Sequence, residues 1–203
     1  MSRPPAAREA VLDAFERLIV ADGERTATLD ATAKAAGVSK GGLLYHFGSR
    51  QALTAGLAER LLRLIDEDVE RIHSAPDGAI SYFVRSSTEV ATPLDRAFVA
   101  VVRLAQGGDR VSAETIDTVR ARWLEALQQH VGDPTVALAI SLIGDGLYDH
   151  AALRAETPDL SAAITAIDES SMDRLVELLE GLARGGERSG LADGRAADEA
   201  STH

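Results

Sequence analysis

The chain has 203 residues, of which 45% are hydrophobic and only 4% aromatic, and it carries a formal net charge of −11. That length supports one or two domains with largely aliphatic cores. The lack of cysteine excludes disulfides and thiolate metal sites and fits a cytoplasmic protein, and neither an apolar run near the roughly 18 residues of a membrane span nor a basic-then-apolar leader is visible.

The charge is unevenly spread. Residues 1–50 hold seven Lys/Arg against six Asp/Glu, whereas the remainder holds 14 against 26. Both lysines of the chain, Lys34 and Lys40, fall between Thr26 and Arg50, where Asp30 is the one carboxylate. A phosphate backbone is repelled least there.

Apolar residues return every three or four positions, with no sustained period of two, so the whole chain is predicted helical. The first helix, about 6–21, places Val11, Ala14, Phe15, Leu18 and Ile19 on one stripe and ends near Gly23. Thr28 is a candidate N-cap for a second helix over about 29–36. Gly37 interrupts, Ser39 can cap again, and a third short helix runs to about Phe47. Gly48-Ser49 precedes a long helix over about 50–73, with Leu53, Leu57, Leu61, Leu64, Ile65, Val69 and Ile72 inward.

Ala75-Pro76-Asp77-Gly78 breaks the pattern before a helix of about 78–88. Thr92-Pro93-Leu94-Asp95 is a helix start, with Thr as cap, Pro in the first turn and Asp near the positive helix end. That helix stops at Gly107-Gly108. Another follows over about 111–131, Asp133-Pro134 opens a uniformly apolar helix to about 154, and Thr157-Pro158 opens the last, about 159–184. From Gly185 onward the one large apolar residue is Leu191, so residues 185–203 are expected to form a disordered tail.

Residues 28–47 pair two short helices across a glycine turn, with a third helix before them, which is a helix-turn-helix pattern. Ala33 is small where the helices cross, Gly37 supplies a positive-φ turn, Val38 and Leu43 plug the crossing, and Phe47 fastens the second helix. Gly41 and Gly42 each lower helix propensity by about 1 kcal/mol, and close approach to a DNA backbone is one reason to carry them. The second helix would enter the major groove.

"TLDATAKAAGVSKGGLLYHFGSRQAL", residues 28–53, resembles the DNA-binding signature of the tetracycline-repressor (TetR) family of bacterial transcription regulators. Thr28, Ala33, Ala36-Gly37-Val38-Ser39, Gly41, Leu43, His46-Phe47, Arg50 and Leu53 fall on the family pattern. The resemblance implies an all-α fold of about nine helices: a DNA-binding domain over 5–52 and a ligand-binding and dimerisation domain over 53–184. It also implies a homodimer on a double-stranded DNA operator, most often a repressor, released by a small effector. Carried over by position, the DNA-binding residues are Thr28, Ser39, Lys40, Gly41, Tyr45, His46 and Arg50, with Lys40 and Arg50 on phosphates. The chain departs from the family at Thr32, where an aliphatic residue is usual, and at Gly42-Leu43-Leu44-Tyr45, which lacks the common threonine and shifts the tyrosine by one.

Farther on, the last two helices are apolar on more than one side, as a four-helix dimer interface requires, with Ile140, Ile143, Leu147, Ile164, Ile167, Leu175 and Leu178 as its candidates. Phe83, Phe98, Trp123, Leu127, Asp145 and Tyr148 are candidate contacts for a largely apolar effector. An enzyme reading would use Asp145, Asp149 and His150 as acid-base groups, but no nucleophile elbow, metal motif or phosphate loop accompanies them. No cofactor and no metal are expected. A third reading, a module whose basic N-terminal face meets an acidic protein, is separated from DNA binding by the salt dependence of duplex affinity.

Overall fold

The computed structural model describes residues 4–156 and 167–200, with side chains over 6–155 and 167–185. Among them there are nine helices and no strand: α1 (Pro4–Asp22), α2 (Leu29–Ala36), α3 (Lys40–His46), α4 (Arg50–Ser74), α5 (Ala79–Ser86), α6 (Pro93–Gln106), α7 (Arg110–Gln128), α8 (Pro134–Glu156) and α9 (Glu169–Ala200). The fold class is therefore the all-α one read from the periodicity.

Residues 1–67 and 91–120 form one compact unit, and 68–90 and 121–203 a second. In the first, Val11, Phe15 and Ile19 of α1, Leu43 of α3, Leu53, Leu57, Leu61 and Ile65 of α4, and Val101 and Leu104 of α6 are all buried. The first five turns of α4 thus share a core with the helix-turn-helix. A charged cluster stitches the same helices. Arg60, its side chain 10% exposed, meets Glu9 at 2.7 Å, Asp13 at 2.8 Å and Glu16 at 3.3 Å, and Arg96 reaches Glu16 at 3.5 Å. One guanidinium so buried stays compensated only because three carboxylates surround it.

Local signals place the helix ends. Thr92 Oγ1 accepts from the Asp95 amide, and the Asp95 carboxylate accepts from the Ala91 amide at 2.6 Å, which closes a reciprocal cap on α6. Gly23 has φ +85°, and Arg103 of α6 donates to the Ile19 and Val20 carbonyls at the end of α1.

The second unit packs Ile72, Phe83, Val84, Leu127, Ile140, Leu147, Met172, Val176 and Leu179 into its core. A buried carboxylate sits at its edge: Asp68 accepts from the Tyr82 hydroxyl at 2.7 Å and from the Trp123 indole at 2.9 Å. Burial, then the hydrogen bond to Asp68, push the Tyr82 phenol up to about 12. Arg85 of α5 is paired with Glu169 and Asp173 of α9. Gly144 is required by α8, since a Cβ there would lie 2.5 Å from the Phe83 ring.

Two readings change at the C-terminal end. Residues 157–166, where a helix start was expected, lie outside those described, and α9 begins at Glu169, with Asp168 accepting from the Ser171 amide at 2.7 Å. The expected tail from Gly185 is instead continued as helix to Ala200. Extending an existing helix needs no new nucleus, and the alanines at 192, 196, 197 and 200 favour it.

Candidate nucleic-acid interface

Each of the two short helices is fixed at both ends by its own sequence. Thr28 caps α2, its Oγ1 accepting from the Ala31 amide at 3.2 Å. Gly37 ends it in the left-handed region at φ +67°, with the Val38 amide donating back to the Ala33 carbonyl at 3.0 Å. Ser39 caps α3, its Oγ accepting from the Gly42 amide at 3.0 Å. Three residues thus set the turn, and Ala33, 4% exposed, admits the close crossing.

Below α3, Leu43 is fully buried and Phe47 nearly so. The Phe47 ring lies against Gly56 of α4, where a Cβ would approach it to 2.8 Å, and Arg8 of α1 stands over the ring at 5.0 Å. Anchored from beneath, α3 turns its other side to solvent: Tyr45 is 81% exposed, and Ser39, Lys40 and Gly41 are exposed as well. His46 is half-buried, with Tyr45 against it edge to face.

Six of the seven predicted DNA-facing residues thus lie on or cap the two short helices. The seventh, Arg50, begins α4 and is held from behind. Its Nη2 donates to the Glu24 carbonyl at 2.8 Å and to the Glu24 carboxylate at 2.9 Å. Lys40 is likewise engaged, with its Nζ 2.9 Å from Asp30. Sequence reasoning missed both partners, because Glu24 lies 26 residues before Arg50 and no local spacing links them.

Gly41 and Gly42 are not equivalent. A Cβ on Gly42 would press on Ser39 Oγ at 3.3 Å, so the capping turn accounts for that glycine. A Cβ on Gly41 would meet nothing within 4 Å. No contact inside the fold explains Gly41. Thr32 is fully buried, and its hydroxyl has no hydrogen-bond partner.

The other predicted sites fall elsewhere. Phe98 belongs to the first unit, and Phe83, Trp123, Leu127, Asp145 and Tyr148 to the second. Phe83 and Leu127 are buried in that unit's core, and Trp123 packs edge-on to Phe83 at 6.4 Å. A cavity of about 530 Å³ in the second unit is lined instead by residues that include Arg85, Val90, Leu147, His150 and Met172. Ile167, expected at a dimer interface, also lines it. Among the described residues no group of three or more His, Asp or Glu is placed to hold a metal ion.

Of the expected pairing residues, Ile140 and Leu147 lie in the unit's own core, Ile143 and Leu175 pack against it half-buried, Ile167 and Leu178 are exposed, and Ile164 lies outside the described residues. The open apolar face of α8 is formed by Leu138, Leu142 and Leu153, with Leu178 and Leu182 exposed on α9. Leu142 stands two residues from Ile140, about 200° round the helix, so the open face is the one opposite that first read. Among the described helices α8 alone is long and apolar enough, by length and composition, to cross a membrane. This exceeds the sequence expectation; a helix apolar on its core face and on its open face passes the same test.

Comparison with known proteins agrees with this geometry. Residues 11–57 match the family model described as bacterial regulatory proteins, tetR family. The chain is 38% identical over 76 residues to the HTH-type transcriptional regulator AlkX of Mycobacterium tuberculosis, a match covering 37% of this chain and 35% of that protein. It is 26% identical over 177 residues to the HTH-type transcriptional regulator BetI of Brucella melitensis, covering 81% of this chain and 89% of that one. The solved structure of Salmonella enterica GusR shares the fold, with a TM-score of 0.64 at 20% identity over 91% of this chain and 98% of that one. The family and these curated relatives are transcription regulators, not enzymes. Residues 11–57 thus carry the DNA-binding region described for the bacterial tetR family, and most of the chain is similar to HTH-type transcriptional regulators.

Proposed function

We propose that the chain is a repressor that binds a near-palindromic operator as a homodimer and is released by a small, largely apolar effector. DNA binding is assigned to residues 5–52, and effector binding and pairing to 53–184. The observation that carries the reading is α3: buried through Leu43 and Phe47, and exposed along Ser39, Lys40, Gly41 and Tyr45. A short helix braced from one side and bare on the other is what insertion into a major groove requires. Lys40 and Arg50 hold phosphates, Tyr45 and His46 approach the bases, and the capping hydroxyls of Thr28 and Ser39, which accept from amides, keep a hydrogen to donate.

Pairing is supported by the apolar surface left open on α8 and α9. Leu142 and Leu178 are 61% and 60% exposed, and Leu138, Leu153 and Leu182 are about half exposed. A symmetric partner offering the same surface would cover them. The effector is proposed to bind within the second unit, with Phe83, Trp123, Leu127, Asp145 and Tyr148 as candidate contacts. The cavity bordered by Val90, Leu147 and Met172 offers further apolar surface. The protein acts in the cytoplasm, where its operator is.

DNase footprinting of the purified protein on the promoter region beside its own gene tests this reading. A protected near-palindrome with half-sites about one helical turn or somewhat more apart supports it. A folded sample that protects nothing at low salt refutes it. Sedimentation of Leu142→Glu/Leu178→Glu as a monomer, beside a dimeric wild type, supports the pairing face; an unchanged dimer refutes it.

A further inference from the structure

Between Glu24 and Arg50 the chain has two carboxylates, Glu24 and Asp30, and each clasps one of the two cations assigned to phosphate contact. The clasps join different elements. Asp30 lies in the first turn of α2 and Lys40 opens α3, at 2.9 Å; Glu24 lies between α1 and α2 and Arg50 opens α4, at 2.9 Å. The Lys40–Asp30 pair is open to solvent, with side chains 58% and 71% exposed, and the Arg50–Glu24 pair is part-buried, at 40% and 26%. An exposed pair such as the first adds little to stability. Both engage a cationic donor, the Lys40 ammonium or the Arg50 Nη2, for which a phosphate would compete.

We infer that Asp30 and Glu24 are built-in competitors of DNA phosphate, which hold down the affinity of the helix-turn-helix for duplex DNA of any sequence. The inference rests on the reading of Lys40 and Arg50 as phosphate contacts. Non-specific binding depends almost wholly on phosphate attraction, whereas an operator adds base contacts. A competitor carried by the chain costs both complexes a similar free energy, and the operator's base contacts keep it the tighter of the two. The geometry at Arg50 separates positioning from competition. The Glu24 carbonyl holds the guanidinium at 2.8 Å whatever the state of the carboxylate, so removing the carboxylate's charge leaves the arginine in place.

Glu24 is itself seated by α6. A Cβ on Gly107 would come within 2.8 Å of the Glu24 carboxyl carbon and 3.0 Å of its Oε1. Gly107 has φ −73°, a conformation that alanine accepts, and the crowded atoms are the end of a flexible side chain. Gly107→Ala is therefore a charge-neutral way to dislodge the competitor.

The test is the affinity of the full-length protein for a random-sequence duplex and for its footprinted operator across a salt series. Glu24→Gln and Asp30→Asn are each expected to tighten random-duplex binding about two- to fivefold, the range set by an exposed ion pair. The operator gains a similar factor, and the salt slope steepens, since each phosphate newly engaged adds about 0.9 to it. Gly107→Ala shifts random-duplex affinity the same way with no change in formal charge. In a Lys40→Ala background the Asp30→Asn gain disappears. The inference is overturned if that gain survives without Lys40, which would make it a general field effect, or if the neutral variants leave affinity and slope unchanged. Lys40→Ala and Arg50→Ala that bind duplex as the wild type does would instead overturn the assignment of the phosphate contacts.

Discussion

Thr32→Val is expected to stabilise the protein. Thr32 is fully buried in α2, and its hydroxyl finds no partner. Valine has the same branched shape and a similar helix propensity, so neither packing nor backbone preference offsets the change. What changes is one buried hydroxyl without a hydrogen bond, a burden of about 1–3 kcal/mol in proteins. For a chain of this size each kcal/mol moves the midpoint by about 2–4 °C, so the rise in Tm should lie between about 2 and 12 °C. The assay is thermal unfolding followed by circular dichroism at one fixed protein concentration, because any self-association adds to apparent stability. Thr32→Ala is the companion, since it removes the methyl as well and should fall below Thr32→Val. A valine variant melting at or below the wild type would refute the reasoning, because it would mean that the hydroxyl is satisfied in solution.

Gly41→Ala should leave the free protein as stable or raise it by up to about 1 kcal/mol, because its Cβ meets open space and helix propensity improves, yet weaken operator binding at least tenfold; parallel melts and gel shifts check both halves. Gly144→Ala should destabilise by about 1–3 kcal/mol, since its Cβ would fall 2.5 Å from the Phe83 ring, and denaturant titration reads the loss. Glu9→Gln tests the Arg60 cluster by pH. Burial raises the Glu9 carboxyl, but the hydrogen bond and charge of Arg60, with Arg8 and Arg63, outweigh it and hold the group below its ordinary 4.5. A lowered carboxyl stabilises the fold above its unfolded value and loses that contribution as the pH falls through its folded value. The gap in stability between wild type and Glu9→Gln should therefore be full at neutral pH and close below about pH 4.5.

Local signals in the sequence were enough for the helix-turn-helix. Thr28, Gly37 and Ser39 act on neighbours within five residues, so spacing alone reveals their caps and turn. The same holds for Thr92-Pro93 at the start of α6. What spacing did not reveal was made by the fold. Glu24 with Arg50, and Arg60 with Glu9, Asp13 and Glu16, bring together residues far apart in the chain. On α8 the difficulty is different: the helix is apolar nearly all round, so periodicity has no polar face by which to set the phase, and Ile140 and Leu147, expected at a pairing face, lie in the unit's own core. Composition misread the end of α9 for a related reason. A segment with one large apolar residue has little to bury, but extending a helix already formed asks for propensity more than for burial.

In the proposed complex α3, projecting Lys40, enters duplex DNA. The most direct test of this is the salt dependence of binding to the footprinted operator by wild type and Lys40→Ala. For the wild type, log affinity should fall steeply and linearly with log salt. Lys40→Ala should form a weaker complex, with a slope shallower by about 0.9 for each phosphate that the variant no longer neutralises. Identical slopes and affinities, or no binding by a folded wild type at low salt, would contradict it.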